Sequence, residues 1–112
     1  MQQLLALDLK DDPALIAEYE AHHRRIWPEI AAALREEGVL EMQIFRLGTR
    51  LVMRMLTDDA RFDAGRFALR LARDPRSREW EALMDRYQAP TPWSVIGRKW
   101  TPMQQIFDLD AQ

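Results

Sequence analysis

The chain has 112 residues, 47% apolar and 30% charged, with a formal net charge of −2. That balance describes one globular domain, residues 1–112, and excludes a disordered chain; the near-neutral charge offers no basic surface for nucleic acid or an anionic membrane. The absence of cysteine excludes disulfides, thiolate metal sites and a Cys nucleophile.

The first element is QLLALDL at 3–9, a short Leu-rich run that reads as a strand because a strong helix start follows it. MQQLLALDLKDDP has no basic n-region, and no apolar run approaches the roughly 18 residues a bilayer requires, so a cytoplasmic protein is expected. Asp12-Pro13 is the helix start: an N-cap carboxylate followed by Pro at the first helical position. Ile16, Tyr19, Ile26, Trp27, Ile30 and Leu34 then recur at gaps that describe one face of a single helix ending at Gly38. VLEMQIFRL (39–47) and LVMRMLT (51–57), joined through Gly48-Thr49-Arg50, form a hairpin with Leu40, Met42 and Ile44 on one side.

Two helices are expected between Asp58 and Gln88, the second capped by Asp74 with Pro75 at its first position. Residues 89–102, with three of the six prolines, read as a loop, and MQQIFDL (103–109) as a closing strand. The order β-α-β-β-α(α)-β is the ferredoxin-like split βαβ pattern of an α+β fold. It gives an antiparallel sheet with helices on one face. The other face needs cover, and a second copy of the chain is the natural source.

On a helix, Tyr19, His23 and Trp27 follow at i, i+4 and i+8 on the apolar face, while His22 is rotated about 100° to the flank. A lone histidine there is more commonly a hydrogen-bonded core residue than a catalyst. Pro28 favours a site. Inside a helix it removes an N–H and clashes with the carbonyl of Arg24, so a bend one turn after His23 opens a gap over the sheet. The arginine run RFDAGRFALRLARDPRSR has interleaved acids and reads as a solvated helix face. No metal-ligand motif, phosphate loop or G-x-S-x-G elbow is present.

The pattern E-Y-x-x-x-H-x-x-I-W-P-E, met by Glu18, Tyr19, His23, Ile26, Trp27, Pro28 and Glu29, resembles the L-rhamnose mutarotase family over essentially the whole chain, as do the terminal QQIFDL, the length and the element order. The resemblance implies a dimeric α/β barrel of two ferredoxin-like protomers. It implies a cofactor-independent isomerase, a homodimer that interconverts the α and β anomers of a 6-deoxy-hexose, with His23 as acid/base and Tyr19 on the sugar. Trp27, Trp80, Lys99 and Trp100 are the further expected binding residues.

Two positions depart from that family. Met42 stands where a second-strand Tyr is usual, and Trp80-Glu81 stands in place of a Trp pair. Losing one hydroxyl-binding phenol and gaining a carboxylate suggests a different hydroxyl configuration, which favours L-fucose over L-rhamnose. The same fold class leaves two other readings open, a small monooxygenase and a non-catalytic ligand-binding module. The Tyr-His-Trp-Pro motif separates the mutarotase from both.

Overall fold

Alternating burial along Gln2–Leu9 is what a strand with one covered face requires, and in the computed structural model, which describes residues 1–112, this segment is β1. The chain continues as α1 (Pro13–Arg24), α2 (Pro28–Glu36), β2 (Val39–Leu47), β3 (Arg50–Thr57), α3 (Ala64–Arg73), α4 (Pro75–Asp85) and two-residue strands β4 (Gln88–Ala89) and β5 (Thr101–Pro102). The sheet is antiparallel in the order β2-β3-β1-β4, with β5 also pairing β1. This is the α+β topology expected from the sequence.

The single kinked helix expected over 13–37 is two helices. Asp12 caps the first through Ala14 N and Leu15 N, at 2.9 and 3.2 Å. Arg25 and Trp27 are extended, with ψ of 95° and 135°, and Pro28 becomes the first residue of α2. The residue before a proline is driven out of the helical region, and at a helix start the missing N–H costs nothing. A clean break therefore relieves the clash more fully than a bend.

The register sorts the sheet into two faces. Leu5 lies opposite Met53, Leu7 opposite Leu51 and Gln3 opposite Met55, on the face covered by helices. Met42 and Ile44 join that face opposite Met55 and Met53. A register shift between Val39 and Glu41 places Leu40 in a bulge, 56% exposed, and not beside Met42 as expected. The hairpin loop is two residues, Gly48-Thr49, with Gly48 at φ 58° and Arg50 already in β3. Tyr19, Ile30, Trp80, Met84 and Tyr87 pack onto Leu9 and Leu51 as the larger core cluster.

The expected closing strand over 103–109 is not formed. The pairing ends with Met103 N donating to Leu4 O at 2.7 Å, and residues 103–108 are exposed without regular structure. MQQIFDL has no edge to meet, because only Gln2 and Gln3 of β1 lie beyond Leu4. The fourth strand position is filled instead by β4 and β5, from Gln88 at the end of the expected helical region and from residues 89–102, expected to be loop.

The arginine run ties helix to helix. Arg66 and Arg70 reach Glu37 at 2.8 and 3.8 Å, Arg70 reaches Glu36 at 2.8 Å, and Arg76 reaches Glu29 at 3.7 Å. Arg61 donates to the carbonyls of Arg35 and Glu36 at the end of α2. Those bonds crowd the turn at Gly38, whose φ is 98° and where an added Cβ would lie 3.0 Å from Phe62 N. Gly38→Ala should therefore lower unfolding free energy by about 1–3 kcal/mol, read by chemical denaturation. A loss under ~0.5 kcal/mol would show that the turn relaxes freely.

Candidate active site

His23 sits in the last turn of α1, one turn below Tyr19. Its Nδ1–H donates to the Tyr19 carbonyl at 2.8 Å, and since a carbonyl only accepts, this fixes the proton on Nδ1. Nε2 is left as a lone pair. Burial lowers the His23 pKa; the bond to the Tyr19 carbonyl works in the opposite direction, and the charge of His22 adds to the lowering. At neutral pH this imidazole is an uncharged base.

The Tyr19 ring centroid lies 4.3 Å from that of His23. Burial raises the Tyr19 pKa, so the phenol keeps its proton. Its oxygen accepts from Gln88 Nε2 at 3.3 Å, which leaves the O–H free to donate. Trp80 stands edge-on to His23 at 5.7 Å and to Trp27 at 5.1 Å. His22 is half-buried, its Nε2 at 3.2 Å from the Tyr87 hydroxyl.

These groups border a cavity of about 220 Å³ between the helices and the sheet. It is smaller than the roughly 300–1,000 Å³ of drug-sized sites, which suits a small ligand. Fourteen of its 18 lining residues are hydrophobic, leaving His23, Ser77, Glu81 and Gln88, with the Tyr19 hydroxyl, to orient a ligand. The sheet supplies an apolar floor from Leu5, Met42, Met53 and Met55. A wider cleft of about 430 Å³, running between α2 and the outer strand β2, shares His23, Ile26, Leu34, Met42 and Ile44 with it. Ile26, in the break between α1 and α2, borders both.

Of the expected site residues, Tyr19, His23, Met42, Trp80, Glu81 and Trp100 line the cavity; Trp27 and Lys99 do not. Trp27 left the face of α1 when the helix broke, and it packs behind Trp80 with Arg76 stacked 3.9 Å from its ring centroid. Lys99 is held away by ion pairs to Glu81 at 2.7 Å and Asp85 at 2.6 Å. Those carboxylates keep its pKa raised against the opposing effect of burial, so it stays charged. Only Glu81 Oε2 is engaged in that bond, and Oε1 remains an available acceptor. Gln88, Ser77 and the methionines of β3 were not expected. No motif marks them, and only strand register and helix packing bring them in. No group of three or more His, Asp or Glu side chains is placed to hold a metal, and no helix is long and apolar enough to cross a membrane.

The chain is thus a ferredoxin-like α+β fold with a neutral imidazole and a protonated phenol beside an apolar cavity. The family model described as L-rhamnose mutarotase matches residues 3–109, and the chain belongs to that family. It is a sugar mutarotase, an isomerase acting on sugar anomers. An L-fucose mutarotase from Xanthomonas campestris pv. campestris is 48% identical, over 97% of this chain and 89% of that protein. The structure of an L-rhamnose mutarotase from Formosa agariphila superposes with a TM-score of 0.70 at 18% identity, covering 97% of this chain and 98% of the other. Tetracenomycin F2 cyclase from Streptomyces glaucescens, a type-II polyketide cyclase, gives 0.56 at 20% identity, covering 96% and 97%. At those identities the two structures share the fold alone.

Proposed function

We propose that this protein interconverts the α and β anomers of a 6-deoxy-L-hexose, with L-fucose preferred over L-rhamnose, and that His23 is its acid/base. The observation that carries this reading is the His23 tautomer: Nδ1–H is tied to the Tyr19 carbonyl and Nε2 is an uncharged base at a small cavity. Nε2 removes the proton of the anomeric hydroxyl. The C1–O1 bond becomes a carbonyl as the bond from C1 to the ring oxygen breaks. The imidazolium gives that proton to the departing ring oxygen, which remains on C5 as a hydroxyl. After rotation about C1–C2, the reverse sequence closes the ring on the other face, and no atom is gained or lost. The Tyr19 hydroxyl donates to a sugar oxygen, and Glu81 Oε1 accepts from a hydroxyl.

The apolar floor supports a deoxy sugar, because the methyl that replaces C6–OH needs no partner there. Preference for L-fucose is supported by the 48% identical relative and by Met42, which offers nothing to a hydroxyl at the position where a Tyr is expected in rhamnose enzymes. We read the open sheet face as the seat of a second copy in a homodimer. It exposes Phe45 at 60% and Leu47 at 85%, and the C-terminal segment exposes Ile106 at 92%.

Magnetisation exchange between anomeric protons, followed by NMR with and without the enzyme, tests this on L-fucose, L-rhamnose and D-glucose. The expected result is the largest acceleration for L-fucose and little for D-glucose. Acceleration of L-rhamnose alone would discard the argument from Met42 and Glu81. No acceleration of any of the three would discard the proposed substrate class.

A further inference from the structure

Two buried side-chain atoms have no hydrogen-bond partner: Gln88 Oε1 and Thr101 Oγ1. Thr101 lies opposite Ala6, on the face of the sheet away from the helices. Gln88 lies opposite Leu9, on the helix-facing side, and borders the site cavity. Its backbone is fixed, since the flanking Tyr87 carbonyl accepts from Lys10 N at 2.8 Å. An amide has two donors and two acceptor lone pairs, and here only one donor is used, on the Tyr19 hydroxyl. A buried acceptor without a donor is costly, and the fold retains it beside the cavity where a hydroxylated ligand brings donors.

We propose that Gln88 is a specificity-determining residue, whose amide oxygen accepts from one ring hydroxyl of the sugar next to the oxygen that Tyr19 contacts. The terminal torsion of a Gln side chain is soft, so a small rotation turns Oε1 towards the cavity while Nε2 stays near Tyr19. Tyr19 and Gln88 then act as a linked pair, the phenol donating to one sugar oxygen and the amide accepting from another. A site built to satisfy a substrate hydroxyl rejects an analogue that lacks it more strongly than an apolar pocket rejects an added one. This inference rests on the sugar-mutarotase reading of the same site.

The test compares wild type with Gln88→Met, which keeps the side-chain length and removes both polar ends. Gln88→Asn, which withdraws the amide by one methylene, is the second variant should the first not fold. Anomer exchange is measured for L-fucose and its 2-deoxy, 3-deoxy and 4-deoxy analogues. With L-fucose, Gln88→Met should lower kcat/KM about tenfold, the scale of one lost hydrogen bond at a buried group. With the one analogue that lacks the hydroxyl Gln88 reads, variant and wild type should be equal within about twofold, while the other analogues keep the tenfold gap. A uniform loss across all four sugars, matching that of Tyr19→Phe, would overturn the proposal and reduce Gln88 to a prop for Tyr19. No loss on any sugar would overturn it too. If wild type accelerates none of the four, both this inference and the sugar reading beneath it fall.

Discussion

His23→Asn should slow enzyme-dependent anomer exchange by about 10²–10⁴-fold, the usual contribution of one positioned acid/base group. Asparagine retains an N–H that can meet the Tyr19 carbonyl, so the fold keeps its contact while the base is lost. Melting temperature should change little, because His23 is half-buried and gives up no large apolar surface. The wild-type pH profile carries the same argument. Burial places the His23 pKa below its ordinary 6.5, so the base is intact at and above that pH. kcat/KM should fall on the acid side, with an inflection below 6.5, as Nε2 takes a proton. Stability should follow the same sign: the unfolded histidine binds its proton first as pH drops below 6.5, so the contribution of neutral His23 is lost as pH falls through its lowered value. An acid limb centred above 6.5, or full activity in His23→Asn, would remove His23 from the chemistry.

What the sequence discloses about this site depends on how local each residue's placement is. Tyr19 and His23 are four residues apart on one helix, and helical geometry alone puts them together. Pro28 signals the break, and the constraint on the residue before a proline explains why Trp27 leaves that face. The i, i+8 spacing from Tyr19 to Trp27 requires one continuous helix, and α1 ends at Arg24. Leu5, Met53 and Met55 enter the floor through the register of β1 on β3, which is set across some fifty residues and leaves no trace in local spacing. Gln88 is further from recognition still. It precedes a Pro-rich stretch that reads as loop, and the two-residue pairing with β1 that aims it is too short to have a period. Lys99 reads as a binding residue with Trp100, in GRKW just before the expected last strand, yet Glu81 and Asp85 hold it aside. The closing strand over 103–109 fails for the opposite reason: its apolar residues suit a strand locally, but a strand also needs an edge, and β1 has run out.

Trp80→Ala should be the most destabilising of the single changes considered. The residue is 7% exposed, within the cluster that joins α1, α2 and α4 to the sheet. Removing a buried Trp side chain costs about 3–5 kcal/mol, against a total of roughly 5–15 kcal/mol for a domain of this kind. A fall in melting temperature of more than about 10 °C is expected, with Trp80→Phe losing well under half as much. Thermal denaturation followed by circular dichroism, with urea titration for the free energies, gives both numbers. A loss below ~1 kcal/mol for Trp80→Ala would mean that Trp27 and Arg76 close over the gap. The magnitude bears on activity because Trp80 is also the wall beside Tyr19 and His23, the proposed acid/base, 5.7 Å from the His23 ring. Trp80→Phe keeps an aromatic edge at that wall, so its activity should track its stability. Trp80→Ala, assayed well below its melting temperature, should lose activity beyond what its folded fraction accounts for, because water then enters beside a base that burial keeps uncharged.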